Sequence, residues 1–184
     1  MDTIQKSCYT YCRRVPFEEL TLADDFLFCK VMQNEKLCKE QLEIILHVKI
    51  DKIEYTESQK VLDDVIDEKS IRMDVYVQDD KHTIYDIEMQ TSNTTELPKR
   101  SRYYHSCIDK SQIVKGERYN ALRKTYVIFI CTFDLFGRNL ARYEFDTICQ
   151  QDKSLILADD RHTIFVRVFT LFKNRENNQN TIYT

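Results

Sequence analysis

Two runs in the middle of the chain alternate apolar and polar positions with a period of two. They are Ile71-Arg72-Met73-Asp74-Val75-Tyr76-Val77 and Thr83-Ile84-Tyr85-Asp86-Ile87-Glu88-Met89-Gln90. That period belongs to strands with one buried face. Odd positions carry Ile71, Met73, Val75 and Val77, then Thr83, Tyr85, Ile87 and Met89. Even positions carry Arg72, Asp74 and Tyr76, then Ile84, Asp86, Glu88 and Gln90. The turn-like Asp79-Asp80-Lys81 joins the runs into a hairpin. A two-residue loop would pair Asp74 with Tyr85 and put the polar sets on opposite faces. A three-residue loop pairs Gln78 with His82, and hence Asp74 with Asp86, and gathers both apolar sets on one face. The pattern predicts the odd loop, with three carboxylates and an amide on one surface.

The flanking patterns complete a mixed α/β domain. From Thr21 to about Val48, Leu22, Phe26, Val31, Leu37, Leu42, Ile45 and Leu46 follow a helical face, and Thr21 or Asp24 can cap its start. An irregular acidic stretch from Asp51 to Ser70 follows, opening with a short strand at Ile53–Tyr55. From Leu97 to Val114 the spacing of Arg100, Tyr103, Tyr104, Cys107, Ile108 and Ser111 is helical again, and Gly116 sits where that helix would stop. Thr125–Cys131 is apolar throughout and rich in β-branched residues, the signature of a strand buried on both sides. Arg142–Phe145 and His162–Phe169 read as further strands. The Asn- and Gln-rich tail from Lys173 reads as frayed. The expected organisation is an N-terminal segment 1–20, one domain over 21–170 and a polar tail 171–184. Its order is α-β-β-β-α-β, with a hairpin leading into a crossover helix.

Composition removes several function classes. The chain has 184 residues, 42% of them hydrophobic and 31% charged, so it can bury a real core. With Gly116 and Gly137 as its 2 glycines, it can form neither a dinucleotide-binding turn nor a phosphate-binding P-loop. No apolar run is long enough to span a bilayer, and the segment MDTIQKSCYTYCRR lacks the apolar centre of a signal peptide. A cytoplasmic protein with no membrane contact is the expectation. Seven cysteines at irregular spacing fit reduced, buried thiols; Cys8 and Cys12, one helical turn apart, offer a Zn²⁺ reading without a second ligand pair nearby. The net charge of −3 hides a division. Asp51 to Gln90 holds 12 acids against 5 Lys and Arg, while Thr91 to Lys124 holds 8 Lys and Arg against 3 acids. An acidic hairpin beside a basic segment suits a metal-dependent enzyme acting on a polyanion.

On the hairpin, Asp74, Glu88 and Gln90 form a divalent-metal site on paper. Mg²⁺ takes one or two carboxylate oxygens, keeps several waters and completes its shell with substrate phosphate. The ion lowers the pKa of a bound water, and Gln90 would position that water. The competing reading is the solvated face of an amphipathic hairpin. Adjacent carboxylates repel, however, and a purely structural hairpin more often intersperses Lys or Arg.

These residues resemble the PD-(D/E)XK nuclease superfamily, whose core hairpin carries D…(D/E)-x-K. More narrowly, the chain resembles the Rpn group of recombination-promoting nucleases, also described as PD-(D/E)XK family transposases. The matching blocks are Leu22-Ala23-Asp24-Asp25-Phe26-Leu27-Phe28, Arg72-Met73-Asp74-Val75, Asp86-Ile87-Glu88-Met89-Gln90 and Lys99-Arg100-Ser101-Arg102-Tyr103-Tyr104. Gly116-Glu117-Arg118-Tyr119 and the strand at Thr125–Ile130 complete the set, over about Leu20 to Val168. The resemblance implies a restriction-endonuclease-like mixed sheet flanked by helices. It implies Asp74 and Glu88 as metal-binding carboxylates, Gln90 in the lysine position, as the group commonly has, and Asp25 as a further metal ligand or helix cap. Arg100 and Tyr104 would face the substrate backbone.

The implied function is a Mg²⁺- or Mn²⁺-dependent DNA endonuclease associated with recombination or transposition, with self-association open. Group members usually continue with a helical C-terminal region, whereas this sequence ends in the Asn/Gln-rich tail. That difference and the absent lysine motivate an alternative, a catalytically impaired DNA-binding or interaction module on the same fold.

Overall fold

The computed structural model describes residues 25–62 and 71–168. Cys8, Cys12, the proposed caps Thr21 and Asp24, and the tail from Lys173 lie outside them.

The first predicted helix is two helices. α1 spans Asp25–Met32 and α2 spans Glu35–Leu46. The break has a local cause: Asn34 takes an extended conformation, and its side chain accepts from the Leu37 amide at 3.1 Å, capping α2. The break also resets the buried face. Phe28, Cys29, Met32, Cys38, Leu42, Ile45 and Leu46 are buried, whereas Leu37, expected in the core, is 44% exposed. α2 closes on His47 in the left-handed conformation, its amide returning to the Glu43 carbonyl.

The acidic stretch after α2 forms β1, Ile53–Leu62, a far longer strand than its charged sequence suggests. It pairs antiparallel with β2, Ile71–Asp79, which pairs antiparallel with β3, Ile84–Gln90. α3, Leu97–Gln112, begins with Pro98 in its first turn and carries the chain to β4, Thr125–Cys131, parallel to β3. The helix ends four residues before Gly116, whose φ of +100° serves the following turn instead. β5, Arg142–Phe145, and β6, Arg161–Arg167, fall close to the predicted strands. Among the described residues the sheet has six strands in the order β1-β2-β3-β4-β6-β5. Its centre, β3-β4-β6, is parallel, and both edges are antiparallel. This is the expected mixed α/β sheet, with the hairpin leading into a crossover helix. No described helix is long and apolar enough to cross a membrane.

Helices cover both faces. On one, α1 and α2 pack with Val75, Val77, Tyr85, Ile87, Met89, Ile128 and Ile164. On the other, Leu97, Tyr104 and Ile108 of α3 pack with Tyr76, Ile84, Val127, Phe129 and Phe165.

The hairpin register differs from the expected one by two residues. Gln78 pairs with Ile84 and Tyr76 with Asp86, which brings Asp74 level with Glu88 rather than Asp86. Asp79 sets the longer turn. Its carboxylate accepts from the amides of Lys81 at 2.9 Å and Thr83 at 2.8 Å and from the Tyr85 hydroxyl at 2.7 Å. A two-residue slip leaves every side chain on its face, so the alternation could not distinguish the two registers.

Candidate active site

Asp74 lies where the β ladder opens. On the β1 side, Ser58 pairs with Val75 and Lys60 with Met73, while Gln59 between them adopts φ +57°. On the β3 side the paired register stops at Val75 and Ile87. The alternation slips there too: Met73 packs in the α3 core and Val75 in the α1–α2 core. A left-handed glutamine in a strand is strained.

The opening releases the Asp74 backbone to meet side chains. Its amide donates to Glu88 Oε1 at 2.9 Å, and its Oδ2 accepts from the Met89 amide at 3.1 Å. Each carboxylate is thus fixed by the other residue's strand. Cys29 of α1 adds a weak contact, its Sγ 3.5 Å from the Asp74 carbonyl oxygen.

The carboxylate face is not a solvated one. Asp86 and Glu88 are fully buried, covered from the α3 side. Arg100, in the first turns of α3, reaches across: Nη2 donates to Glu88 Oε2 at 2.6 Å, Nη1 to Gln90 Oε1 at 3.3 Å, and Nε to the Tyr104 hydroxyl at 2.7 Å. Tyr104 is itself 5% exposed, its ring 6.3 Å from that of Phe129. It packs in the core and directs only its hydroxyl to the site. The spacing of Arg100 and Tyr104, one helical turn apart, places both over the acids.

Burial raises the Glu88 carboxyl above the usual carboxylate range, and the Asp74 charge raises it further. The Asp74 amide and the Arg100 guanidinium act in the opposite sense. Asp86 is raised more strongly, again by burial first, then by Glu88 and Asp74. No donor group among the described residues reaches either Asp86 oxygen; its side-chain partner is the Glu88 carboxyl, with which a protonated Asp86 shares its hydrogen. The sequence offers its strand block but no role for it; an acid buried against a second carboxyl is visible only once α3 is in place.

Asp74, Glu88, Gln90, Arg100 and Tyr104 are therefore brought together. Asp25 opens α1, and its side chain lies outside the described residues. A second group was not anticipated. Glu144, Asp146 and His162 hold their ligand atoms within 4.8 Å of one another where β5 meets β6. His162 Nδ1 lies 2.6 Å from Asp146 Oδ1, and Glu144 is paired with Arg142 at 2.7 Å. Only the antiparallel β5–β6 register, not spacing along the chain, brings these residues together.

The five described cysteines, Cys29, Cys38, Cys107, Cys131 and Cys149, are free thiols, the first, second and fourth of them buried. Burial pushes Cys38 and Cys131 up to about 12, so both stay protonated and inert.

No curated protein and no solved structure matches the chain. The family model for PD-(D/E)XK nuclease family transposases matches residues 23–183, from the first helix through the last strand and beyond. With that match covering most of its length, the chain belongs to the PD-(D/E)XK nuclease family transposases.

Proposed function

We propose that this chain is a divalent-metal-dependent endonuclease that hydrolyses DNA phosphodiesters in recombination or transposition, acting in the cytoplasm through the unit 21–170. The observation that carries the reading is the reciprocal Asp74–Glu88 clasp, with Arg100 and Gln90 over it.

The donor set fits a hard divalent cation. Two carboxylates on adjacent strands are fixed by backbone amides, and Glu88 Oε2 already holds a cationic group, the Arg100 guanidinium, at 2.6 Å. Asp74 and Glu88 would hold Mg²⁺ or Mn²⁺, with Asp25 a further candidate ligand. Bound there, such an ion supplies an acidified water and charge neutralisation at the phosphate.

The rest falls to the chain's own groups. Gln90 is half-buried at the end of β3, and its amide orients the attacking water. Arg100 contacts the substrate phosphate, held by the Tyr104 hydroxyl, so Tyr104 acts on substrate through Arg100. Lys99 and Arg102 are exposed beside Arg100 on α3 and provide the non-specific backbone grip.

Nicking of supercoiled plasmid tests the proposal. Cleavage with Mg²⁺ or Mn²⁺ that EDTA abolishes supports it. Salt-dependent DNA binding without cleavage in either metal favours the alternative of a binding module, which the neutral Gln90 motivates.

A further inference from the structure

Gln90 occupies the position where D…(D/E)-x-K sites carry a lysine, and an amide brings no charge to a reaction that builds negative charge on phosphate. Among the described residues, a cation reaches the site from another element. Arg100 Nη1 lies 3.3 Å from Gln90 Oε1, and Nη2 lies 2.6 Å from Glu88 Oε2. We propose that Arg100, projecting from α3, is the catalytic cation of this site and replaces the charge that Gln90 lacks. This rests on the nuclease reading above and goes beyond a grip on the DNA backbone.

The geometry separates this role from that of an ordinary surface arginine. Three nitrogens of the guanidinium have fixed partners: Nε on Tyr104 Oη at 2.7 Å, Nη1 on Gln90, and Nη2 on Glu88. Its carbon also sits 4.9 Å from the centre of the Tyr104 ring. Tyr104 and Glu88 are both buried, so these anchors do not move with solvent. The side chain is nevertheless 36% exposed, and each Nη keeps a second N–H for a phosphate oxygen. A cation held this firmly cannot follow a flexible backbone as Lys99 or Arg102 can. It is preorganised for one point, beside the carboxylates, where charge develops in the transition state.

The chemistry balances without the arginine changing protonation. A water oxygen bonds to phosphorus as the bond from phosphorus to one sugar oxygen breaks. The water's proton leaves to solvent base, and the departing oxygen takes a proton from solvent. Arg100 stays charged throughout.

Moving the charge tests the assignment. A lysine at 90 is one bond longer than glutamine, so its ammonium falls where the guanidinium now lies. The variants are Arg100→Gln, Arg100→Lys, Gln90→Lys and the double variant Arg100→Gln/Gln90→Lys. They are compared by plasmid nicking at saturating DNA, by DNA affinity and its salt dependence in Ca²⁺, and by thermal melting. Arg100→Gln is expected to lose about 100- to 1,000-fold in turnover, the scale for one preorganised transition-state donor, with little change in affinity or salt slope. Arg100→Lys is expected to fall between it and the unaltered protein. The double variant is expected to regain at least about tenfold over Arg100→Gln, whereas Gln90→Lys alone sets two cations together and slows the reaction.

Unchanged turnover in Arg100→Gln overturns the proposal, as does a double variant no faster than a folded Arg100→Gln. Loss confined to affinity and salt slope also overturns it and makes Arg100 a backbone anchor. If the unaltered protein cuts no DNA in any metal, the nuclease reading itself falls; if it cuts and Arg100→Gln cuts equally well, only this inference does.

Discussion

Asp74 and Glu88 fix each other across the β2–β3 hairpin: the Asp74 amide donates to Glu88 Oε1 at 2.9 Å, and the Met89 amide next to Glu88 donates to Asp74 Oδ2 at 3.1 Å. The carboxylates are held by backbone rather than by mobile side chains, so any change of strand register displaces both. An acidic pair in a half-buried sheet would ordinarily be unfavourable. Here main-chain donors and one guanidinium compensate it.

Isosteric neutralisation therefore separates chemistry from folding. Asp74→Asn and Glu88→Gln keep side-chain size and are expected to abolish Mn²⁺ binding by titration calorimetry, with modest shifts in melting temperature. Glu88→Ala is expected to cost more, about 2–4 kcal/mol of stability, because it strands both the Arg100 charge and the Asp74 amide. Urea denaturation of the three variants measures the difference.

Gln59 maintains the opening at Asp74 through its φ of +57°. A β-branched residue resists that conformation more strongly. Gln59→Val is expected to lower stability by about 1–2 kcal/mol and to weaken Mn²⁺ binding, whereas Gln59→Gly keeps both near their original values. Chemical denaturation and calorimetry report the two effects separately.

His105 gives the fold an acid sensitivity distinct from the site. It projects from α3 onto the sheet and is buried there, with its ring nitrogens 2.9 Å from Thr125 Oγ1 and 3.2 Å from Thr163 Oγ1. Burial, then the Arg161 charge, lowers its pKa to about 3. Because the folded value lies below the unfolded one, near ~6.5, the unfolded state binds the proton first as pH falls. The neutral ring's contribution is intact above pH ~6.5 and is lost progressively towards pH 3, by up to a few kcal/mol. In His105→Gln this part of the pH dependence is expected to flatten, read from urea midpoints between pH 7 and pH 4.

Asp86 is the opposite case, a fully buried acid whose side-chain partner is another carboxyl, that of Glu88. Such a group is retained against stability. Asp86→Val is expected to stabilise the fold by about 1–2 kcal/mol while reducing DNA cleavage, a trade visible by comparing melting temperature with nicking rate.

Much of this arrangement was legible in the sequence. The alternation in 71–77 and 83–90 marks both strands, and it marks the buried face from Val75 to Met89 but not at Ile71 and Met73, which the slip at Asp74 turns to the α3 side; the wholly apolar Thr125–Cys131 marks the central strand. The α1–α2 break is invisible to the apolar spacing, which runs on across it; Asn34 followed by an acidic first turn is the local signal. β1 is longer than its pattern predicts because its sequence, Ile-Glu-Tyr-Thr-Glu-Ser-Gln-Lys-Val-Leu, belongs to an edge strand, where charge is favoured over alternation. The turn length was beyond reach, since a two-residue slip preserves the pattern and Asp79 decides it through contacts formed only after folding. Asp74, Glu88, Gln90, Arg100 and Tyr104 all belong to the blocks that the sequence singles out, and the structure brings their side chains together. Their burial is not legible there, because α3 covers the acids through a crossover that local periodicity does not encode.

The central claim is that the Asp74–Glu88 clasp is the metal-dependent cutting centre. Its most direct test is plasmid nicking by the unaltered protein, Asp74→Asn and Glu88→Gln side by side, with Mn²⁺ and with EDTA. Nicking by the unaltered protein alone, and only with metal, is the predicted result. Equal nicking by a folded Asp74→Asn or Glu88→Gln variant would contradict it.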